Sequence, residues 1–213
     1  SGMGREFVGQ IAEKYPWRYE IWAIARRAGE LEKLKEEIQE VSVRPLPLDI
    51  SREEDREKLK KLLKKENPKI LLLVNAAGMG IQKEFAGISP QEAVSMTELN
   101  CSALTGITGI CLPYCKDGSR IFMLASAGAF VPQPGFAVYA ASKAYVVSFS
   151  RALNRELKPR RIQVTAVCPG PVDTPFLEKM GGKDQMPGYK KPFIARPGAV
   201  VKKALRDGAR GRE

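Results

Sequence analysis

Ser126, Tyr139 and Lys143 form the strongest chemical constellation in the chain. Tyr139 and Lys143 stand at i and i+4 in the segment YAASK, a spacing that brings both side chains to one face of a helix. An ammonium beside a phenol favours phenolate and lowers the tyrosine pKa from its ordinary value of about 10 toward neutral pH. A tyrosine so placed can exchange a proton with a substrate hydroxyl or carbonyl. Ser126 closes the apolar run RIFMLAS. A hydroxyl at the C-terminal end of a strand in an open α/β sheet stands where ligands bind, and it can hold the substrate oxygen beside Tyr139. Taken alone, a Tyr-x3-Lys pair also reads as an ordinary helix-surface contact.

The 213 residues include no histidine. That excludes Ser-His-Asp and Cys-His nucleophile systems, and with them His-ligated zinc and facial-triad iron. Acid–base work near neutral pH must then fall to a carboxylate, Lys, Cys or Tyr. The four cysteines, Cys101, Cys111, Cys115 and Cys168, contain no C-x-x-C spacing and are too few for a disulfide scaffold. Cys111 and Cys115 can share a helix face, but the four read as buried small hydrophobes, and no metal site is expected. No apolar run reaches the roughly 20 residues that span a bilayer, and the N-terminus lacks the order of a secretory signal. The sequence reads as cytoplasmic, with no membrane span.

Net charge is +11, and residues 151–213 carry 15 of the 35 basic groups but 6 of the 24 acidic ones. These basic residues are dispersed and not interleaved with aromatics as a nucleic-acid platform would be. They are taken as a solvated face or a small-anion role, with no nucleic-acid partner expected.

The elements that must position the constellation follow from apolar periodicity. Short apolar runs at Glu20–Ala25, Ser42–Leu48, Ile70–Asn75, Arg120–Ser126 and Gln163–Cys168 read as strands. Helical spacing marks Arg5–Tyr15, Glu30–Glu40, Arg52–Glu66, a long segment Pro90–Tyr114, and Ala137–Leu157. This alternation predicts an α/β protein: one domain over 1–213, a doubly wound parallel sheet with helices on both faces. The Gly/Pro/Lys-rich stretch 181–198 has no clean period and is expected to be a substrate lid or a connector. At the start, Ser1-Gly2-Met3-Gly4 is a glycine turn entering a helix with no strand before it. A first strand is therefore expected to be missing from this sequence, and the tail from Arg206 is expected to stop without a final element.

Read in order, these motifs resemble the short-chain dehydrogenase/reductase family, over essentially the whole chain. Ser1-Gly2-Met3-Gly4 is similar to the end of the family's T-G-x3-G-x-G cofactor loop. Asn75-Ala76-Ala77-Gly78 resembles the N-A/N-A-G motif beside the cofactor. Asn100, in ELNCSAL, falls where the family places an Asn that bends a helix and holds a water in a proton relay. Ser126, Tyr139 and Lys143 match the catalytic positions. In Cys168-Pro169-Gly170-Pro171-Val172-Asp173-Thr174, the Pro-Gly pair, Val172 and Thr174 match the segment that meets the nicotinamide.

The resemblance implies a Rossmann-type fold and hydride transfer between a nicotinamide cofactor and a carbonyl or secondary alcohol. Tyr139 would be the proton donor or acceptor, Ser126 would polarise the carbonyl, and Lys143 would hold the nicotinamide ribose and lower the Tyr139 pKa. Asp49 and Ile50 would line the adenine pocket. Where an NAD enzyme would carry an acid after its second strand, EIWAIA ends in Ala25 and continues as Arg26 and Arg27. Guanidinium groups suit a 2′-phosphate, so NADP(H) is expected over NAD(H).

The closest-looking branch holds broad bacterial reductases and 3-oxoacyl or hydroxysteroid dehydrogenases. Phe130, Val131, Phe136, Phe176 and Met180 are candidate walls of an apolar substrate pocket. Helix 137–157 suggests a homodimer or homotetramer. The alternative is a catalytically idle dinucleotide-binding regulatory or scaffold protein.

Overall fold

Strand β4 (Cys115–Leu124) is the middle strand of a three-stranded parallel sheet in the computed structural model, which describes residues 2–16, 19–180, 182 and 192–211. Its side chains alternate, as the two-residue period of a strand requires. Ile121 and Met123 enter one core, Phe122 and Leu124 the other. Both faces are therefore covered, which is why the run is apolar throughout.

β4 pairs in parallel with β3 (Ile70–Asn75) on one side and β5 (Gln163–Val167) on the other. A second parallel pair is formed by β1 (Glu20–Ala25) and β2 (Ser42–Pro47). Among the described residues β1 and β3 do not pair with each other, although both border one cleft.

Helices α1 (Gly2–Lys14), α2 (Ala28–Glu37) and α8 (Pro197–Ala209), the last preceded by the short α7 (Pro175–Lys179), supply the core on one face, through Phe7, Ala12, Leu31, Leu34, Val201 and Ala204. Helices α3 (Glu53–Glu66), α5 (Leu104–Cys111) and α6 (Ala137–Glu156) cover the other with Leu59, Leu63, Ile107, Val146 and Leu153. The doubly wound parallel architecture expected from the alternating pattern is the one observed.

Several boundaries differ from expectation. The chain does not stop without an element: α8 runs to Ala209. Pro197 begins it at a position where proline's missing N–H costs nothing, and Val200, Val201, Ala204 and Leu205 then recur at helical spacing. Gly208 sits where a Cβ would stand 2.6 Å from Phe122 Cζ, so a bare backbone is needed for the last turn of α8 to approach β4. At the other end Gly2 and Gly4 belong to the first turn of α1 and not to a loop before it.

The long helical segment expected over Pro90–Tyr114 is four pieces: α4 (Pro90–Thr97), a wider π turn at Glu98–Ala103, α5, and a tighter 3-10 turn at Leu112–Tyr114. β4 starts five residues before the expected Arg120, the register shifting between Ile70 and Leu72. Of the candidate lid, residue 182 and residues 192–198 are described. Ala195 bridges to Val172, and 197–198 open α8; 181 and 183–191 lie outside the described residues, as does Ser1.

Candidate active site

The C-terminal ends of β4 and β5 are held side by side by Ala125 N–H donating to Val167 O (2.9 Å) and Ala127 N–H donating to Pro169 O (2.8 Å). Ser126 caps the short helical turn that follows, its Oγ accepting from Gly128 N–H at 3.1 Å. The same hydroxyl lies near enough to the Tyr139 phenol, on the first turn of α6, to favour its ionised form. One turn on, Lys143 is buried. Its Nζ donates to Leu124 O at 2.8 Å and lies 5.8 Å from the centre of the Tyr139 ring. The structure thus brings Ser126, Tyr139 and Lys143 together.

Their electrostatics depart from the sequence argument. Burial pushes the Tyr139 phenol above its ordinary value, the Ser126 hydroxyl pulling it part of the way back. Burial also lowers Lys143 from 10.5 to about 8. The expected lowering of Tyr139 by Lys143 is not what this geometry produces, because the ammonium is turned to the Leu124 carbonyl and desolvation dominates at both groups. The neighbouring thiols of Cys101 and Cys168 are also raised by burial, and Cys111 and Cys115 are pushed up to about 12 and about 11. All four cysteines are free. These protonated thiols behave as the small hydrophobes expected of them.

Lys143 gives a stability prediction with a definite sign. The unfolded chain keeps this proton up to 10.5, whereas the fold releases it near 8. Between those values the unfolded state binds more protons, so the Lys143 contribution to stability grows as pH rises and is lost as pH falls through 8. Comparing the wild type with Lys143→Met by chemical denaturation cancels the titration of the thiols and of Tyr139. The stability difference, wild type minus variant, should climb between pH 8 and pH 10.5 and be level below. A flat difference throughout would show that the ammonium is not desolvated.

Asn100 is fully buried in the π turn. Its Oδ1 accepts from Met79 N–H (2.9 Å), and its Nδ2 donates to Met79 O (2.8 Å) and to Ser142 Oγ (2.9 Å). It therefore clamps the backbone just past β3 to α6. The bend expected at Asn100 is present as the wide turn, and the extra residue it accommodates aims the side chain inward.

Glycines mark close approaches around this clamp. A Cβ on Gly78 would stand 3.2 Å from Asn100 Oδ1 and 3.3 Å from Lys143 Nζ. One on Gly4 would stand 3.3 Å from Ala76 Cβ, and Gly2, at φ +61°, faces Thr174. Asn75 Nδ2 donates to Thr108 Oγ1 at 3.0 Å, fixing the end of β3. The buried Thr174 donates to Val172 O at 3.3 Å.

A single cleft of about 2230 Å³ joins these positions. Gly2, Met3, Gly4, Asn75, Ala76, Ala77 and Gly78 line it, as do Pro169, Gly170, Val172 and Thr174. Ser126, Tyr139 and Lys143 border the same space. Arg26, Arg27, Asp49 and Ile50 line its far part. Asn100 alone of the described candidates lies behind the wall. The Asp49 carboxylate already accepts from Ser51 N–H and Oγ, at 3.1 and 2.6 Å. Gly4, Ala76 and Gly78 keep large side chains away from the cleft beside the N-terminus of α1, and such bare backbone at a helix N-terminus fits the pyrophosphate of a dinucleotide.

Four of the five candidate walls, Val131, Phe136, Phe176 and Met180, border the cleft. Phe136 and Phe176 flank Tyr139, each with ring centres 6.0 Å away. Phe130 does not belong with them. It lines a separate hollow of about 170 Å³ with Arg151 and Cys168, because the turn after Ser126 points its side chain to the opposite side.

Two residues went unnoticed in the sequence. Gly80 lies beneath the site, where a Cβ would meet Met180 Sδ at 2.8 Å and Tyr139 Cδ2 at 3.1 Å; its spacing from Gly78 was the available signal. Gln133 lies beside Ser126 and Gly128, and nothing in its sequence context marks it.

Comparison with known proteins places this geometry in company. The sequence profile of the family described as short chain dehydrogenase matches residues 1–185. The chain is 33% identical over 176 residues to a very-long-chain 3-oxoacyl-CoA reductase of Emericella nidulans, covering 78% of this chain and 49% of that protein. It is 30% identical over 182 residues to an NADP-dependent 3-hydroxy acid dehydrogenase of Schizosaccharomyces pombe, covering 83% and 70%. The chain thus spans about half the length of the 3-oxoacyl-CoA reductases it matches.

Among solved structures, a short-chain dehydrogenase from Sphingobium yanoikuyae in complex with NADPH superposes with a TM-score of 0.87 at 26% identity, covering 100% of this chain and 82% of that one. A 3-ketoacyl-(acyl-carrier-protein) reductase from Brucella melitensis complexed with NADH superposes at 0.85, also at 26% identity, covering 98% and 86%.

Proposed function

The chain belongs to the short-chain dehydrogenase/reductase family, and on that premise we propose that it is an NADP(H)-dependent reductase of 3-oxoacyl-type carbonyl compounds, working reversibly on the corresponding secondary alcohols. The observation that carries this reading is the convergence of Ser126, Tyr139 and the buried Lys143 on one cleft, Lys143 one helical turn beyond Tyr139.

When bound, the nicotinamide supplies or accepts the hydride. In the reducing direction Tyr139 gives its phenolic proton to the carbonyl oxygen, and in the oxidising direction it takes that proton back. Ser126 hydrogen-bonds the same oxygen and fixes it for the transfer. Lys143 would hold the ribose of the nicotinamide and pass protons to Tyr139. Asn100, with a bound water, would connect Lys143 to solvent while clamping the backbone at Met79. The cradle of Gly4, Ala76 and Gly78 would receive the pyrophosphate, Thr174 and Val172 the nicotinamide side, and Arg26 and Arg27 the 2′-phosphate.

Val131, Phe136, Phe176 and Met180 give the substrate channel an apolar wall suited to an acyl chain, in keeping with the names of the relatives. No observation favours a catalytically idle, scaffolding role.

The reading extends to setting and assembly. Four free cysteines suit a reducing cytoplasm, and among the described residues no helix is long and apolar enough to cross a membrane. Tyr145 on α6, 41% exposed and stacked on Phe149, offers a surface for a homodimer or homotetramer built on that helix.

The deciding assay is loss of NADPH absorbance with a 3-oxo ester and a matched plain ketone as substrates. Carbonyl-dependent oxidation of NADPH is expected. NADPH binding without turnover of either carbonyl would overturn the reading.

A further inference from the structure

Beyond Tyr139 and Lys143, Gln133 is a polar side chain that borders the cleft near Ser126. Gln133 sits in the turn between the end of β4 and α6, its carbonyl accepting from Phe136 N–H at 3.0 Å. Its amide nitrogen stands 2.8 Å from the point that a Cβ on Gly128 would occupy, and Ser126 Oγ stands 3.5 Å from that same point. The two polar groups are therefore neighbours, both beside Gly128, whose missing side chain makes the room that the Gln133 amide occupies. Both line the cleft. Among the described residues the Gln133 amide makes no hydrogen bond, although it is half-buried between Val131 and Phe136. A carboxamide that borders the cleft beside the serine is suited to a polar group that arrives with a ligand.

We infer that Gln133 reads the second oxygen of a β-dicarbonyl substrate, its amide N–H donating to the ester or thioester carbonyl while Ser126 and Tyr139 hold the 3-oxo group. This rests on the 3-oxoacyl reading above and adds to it the residue that tells the pattern O=C–C–C=O from a plain ketone. In such a compound one carbon separates the two carbonyl groups, so when Ser126 and Tyr139 hold one oxygen the other stays within the neighbourhood that Gln133 shares with Ser126. A plain ketone offers Gln133 nothing, and its alkyl carbons would leave the amide desolvated and unpaired. Sites built to hydrogen-bond a substrate group discriminate against analogues that lack it for this reason.

The test compares an alkyl 3-oxobutanoate with a methyl ketone of the same length, using the full chain and NADPH, in the wild type and in Gln133→Met and Gln133→Glu. Both replacements keep the side chain's length and remove the N–H donor. The ratio of kcat/KM for the 3-oxo ester over that for the ketone should fall about tenfold in each variant, chiefly through a higher KM for the ester. Ligand-observed NMR gives a readout without turnover: the 3-oxo ester should lose affinity in both variants relative to the ketone. A ratio within about twofold of the wild type in both variants overturns the inference and leaves the reductase reading standing. A wild-type chain that binds NADPH yet reduces neither compound overturns both.

Discussion

Tyr139→Phe is expected to lower kcat/KM for carbonyl reduction by about 10²- to 10⁴-fold, the range that a positioned proton donor contributes. The substitution removes one oxygen. The ring keeps its place between Phe136 and Phe176, and Ser126 keeps its bond from Gly128 N–H. The fold therefore loses at most one hydrogen bond, worth about 1 kcal/mol, and NADPH affinity should be nearly intact, because the phenol faces the substrate end of the cleft. Single-turnover measurements with saturating NADPH would place the loss in the chemical step and not in binding.

The pH dependence carries a second signature. Burial holds the phenol above its ordinary value of 10.0, so the donor is protonated throughout the neutral range. Reduction, which needs the acid form, should decline as pH rises through that raised value, and the residual activity of the variant should lack this limb. Turnover close to normal in Tyr139→Phe would remove tyrosine from the mechanism.

The acid–base set was legible in the sequence because its order along the chain is determined by topology. Ser126 must end a strand, Tyr139 and Lys143 must share the next helix, and a Pro-Gly turn must close the strand after that. Each requirement leaves a local mark. The pKa shifts left none. Whether Lys143 is solvated or buried against Leu124 depends on how β4, α6 and the end of β3 pack, and those contacts join residues far apart in sequence. The spacing of Tyr139 and Lys143 shows that they share a face, and says nothing of the 5.8 Å between ammonium and ring or of where Nζ points.

Phe130 was misplaced for a related reason. It is one residue from Val131, which does line the cleft, and a three-residue-per-turn helix beginning at Ala127 changes the direction of each side chain in a way no two- or 3.6-residue period captures. Helix α8 was obscured by its own punctuation. Pro197 and Gly198 read as loop, yet Pro is favoured in a first helical turn, and Gly208 serves an approach to Phe122 that becomes visible only once α8 lies on the sheet.

Replacing Arg26 and Arg27 together by Ala should weaken NADPH binding about 10²-fold and NADH binding by no more than about threefold. Both guanidinium groups follow the last residue of β1 and border the part of the cleft lined by Asp49 and Ile50. Arg27 is well exposed, 62% by side chain, which leaves its guanidinium accessible to a phosphate in the cleft. The Asp49 carboxylate is turned to Ser51, which donates to its Oδ1, and the first position after β1 holds Arg26 in place of an acid. Charge-assisted hydrogen bonds are worth about 1.5–3 kcal/mol each, and exposure discounts them; two together account for the factor of about 10². The effect should shrink with added salt, since partly exposed charges are screened within about 10 Å at 0.1 M ionic strength. Fluorescence titration of both cofactors at low and high salt, with the single variants alongside, separates the two arginines. Equal weakening of NADPH and NADH would mean that the pair supports the adenosine half of the site in general and that the 2′-phosphate is read by other groups.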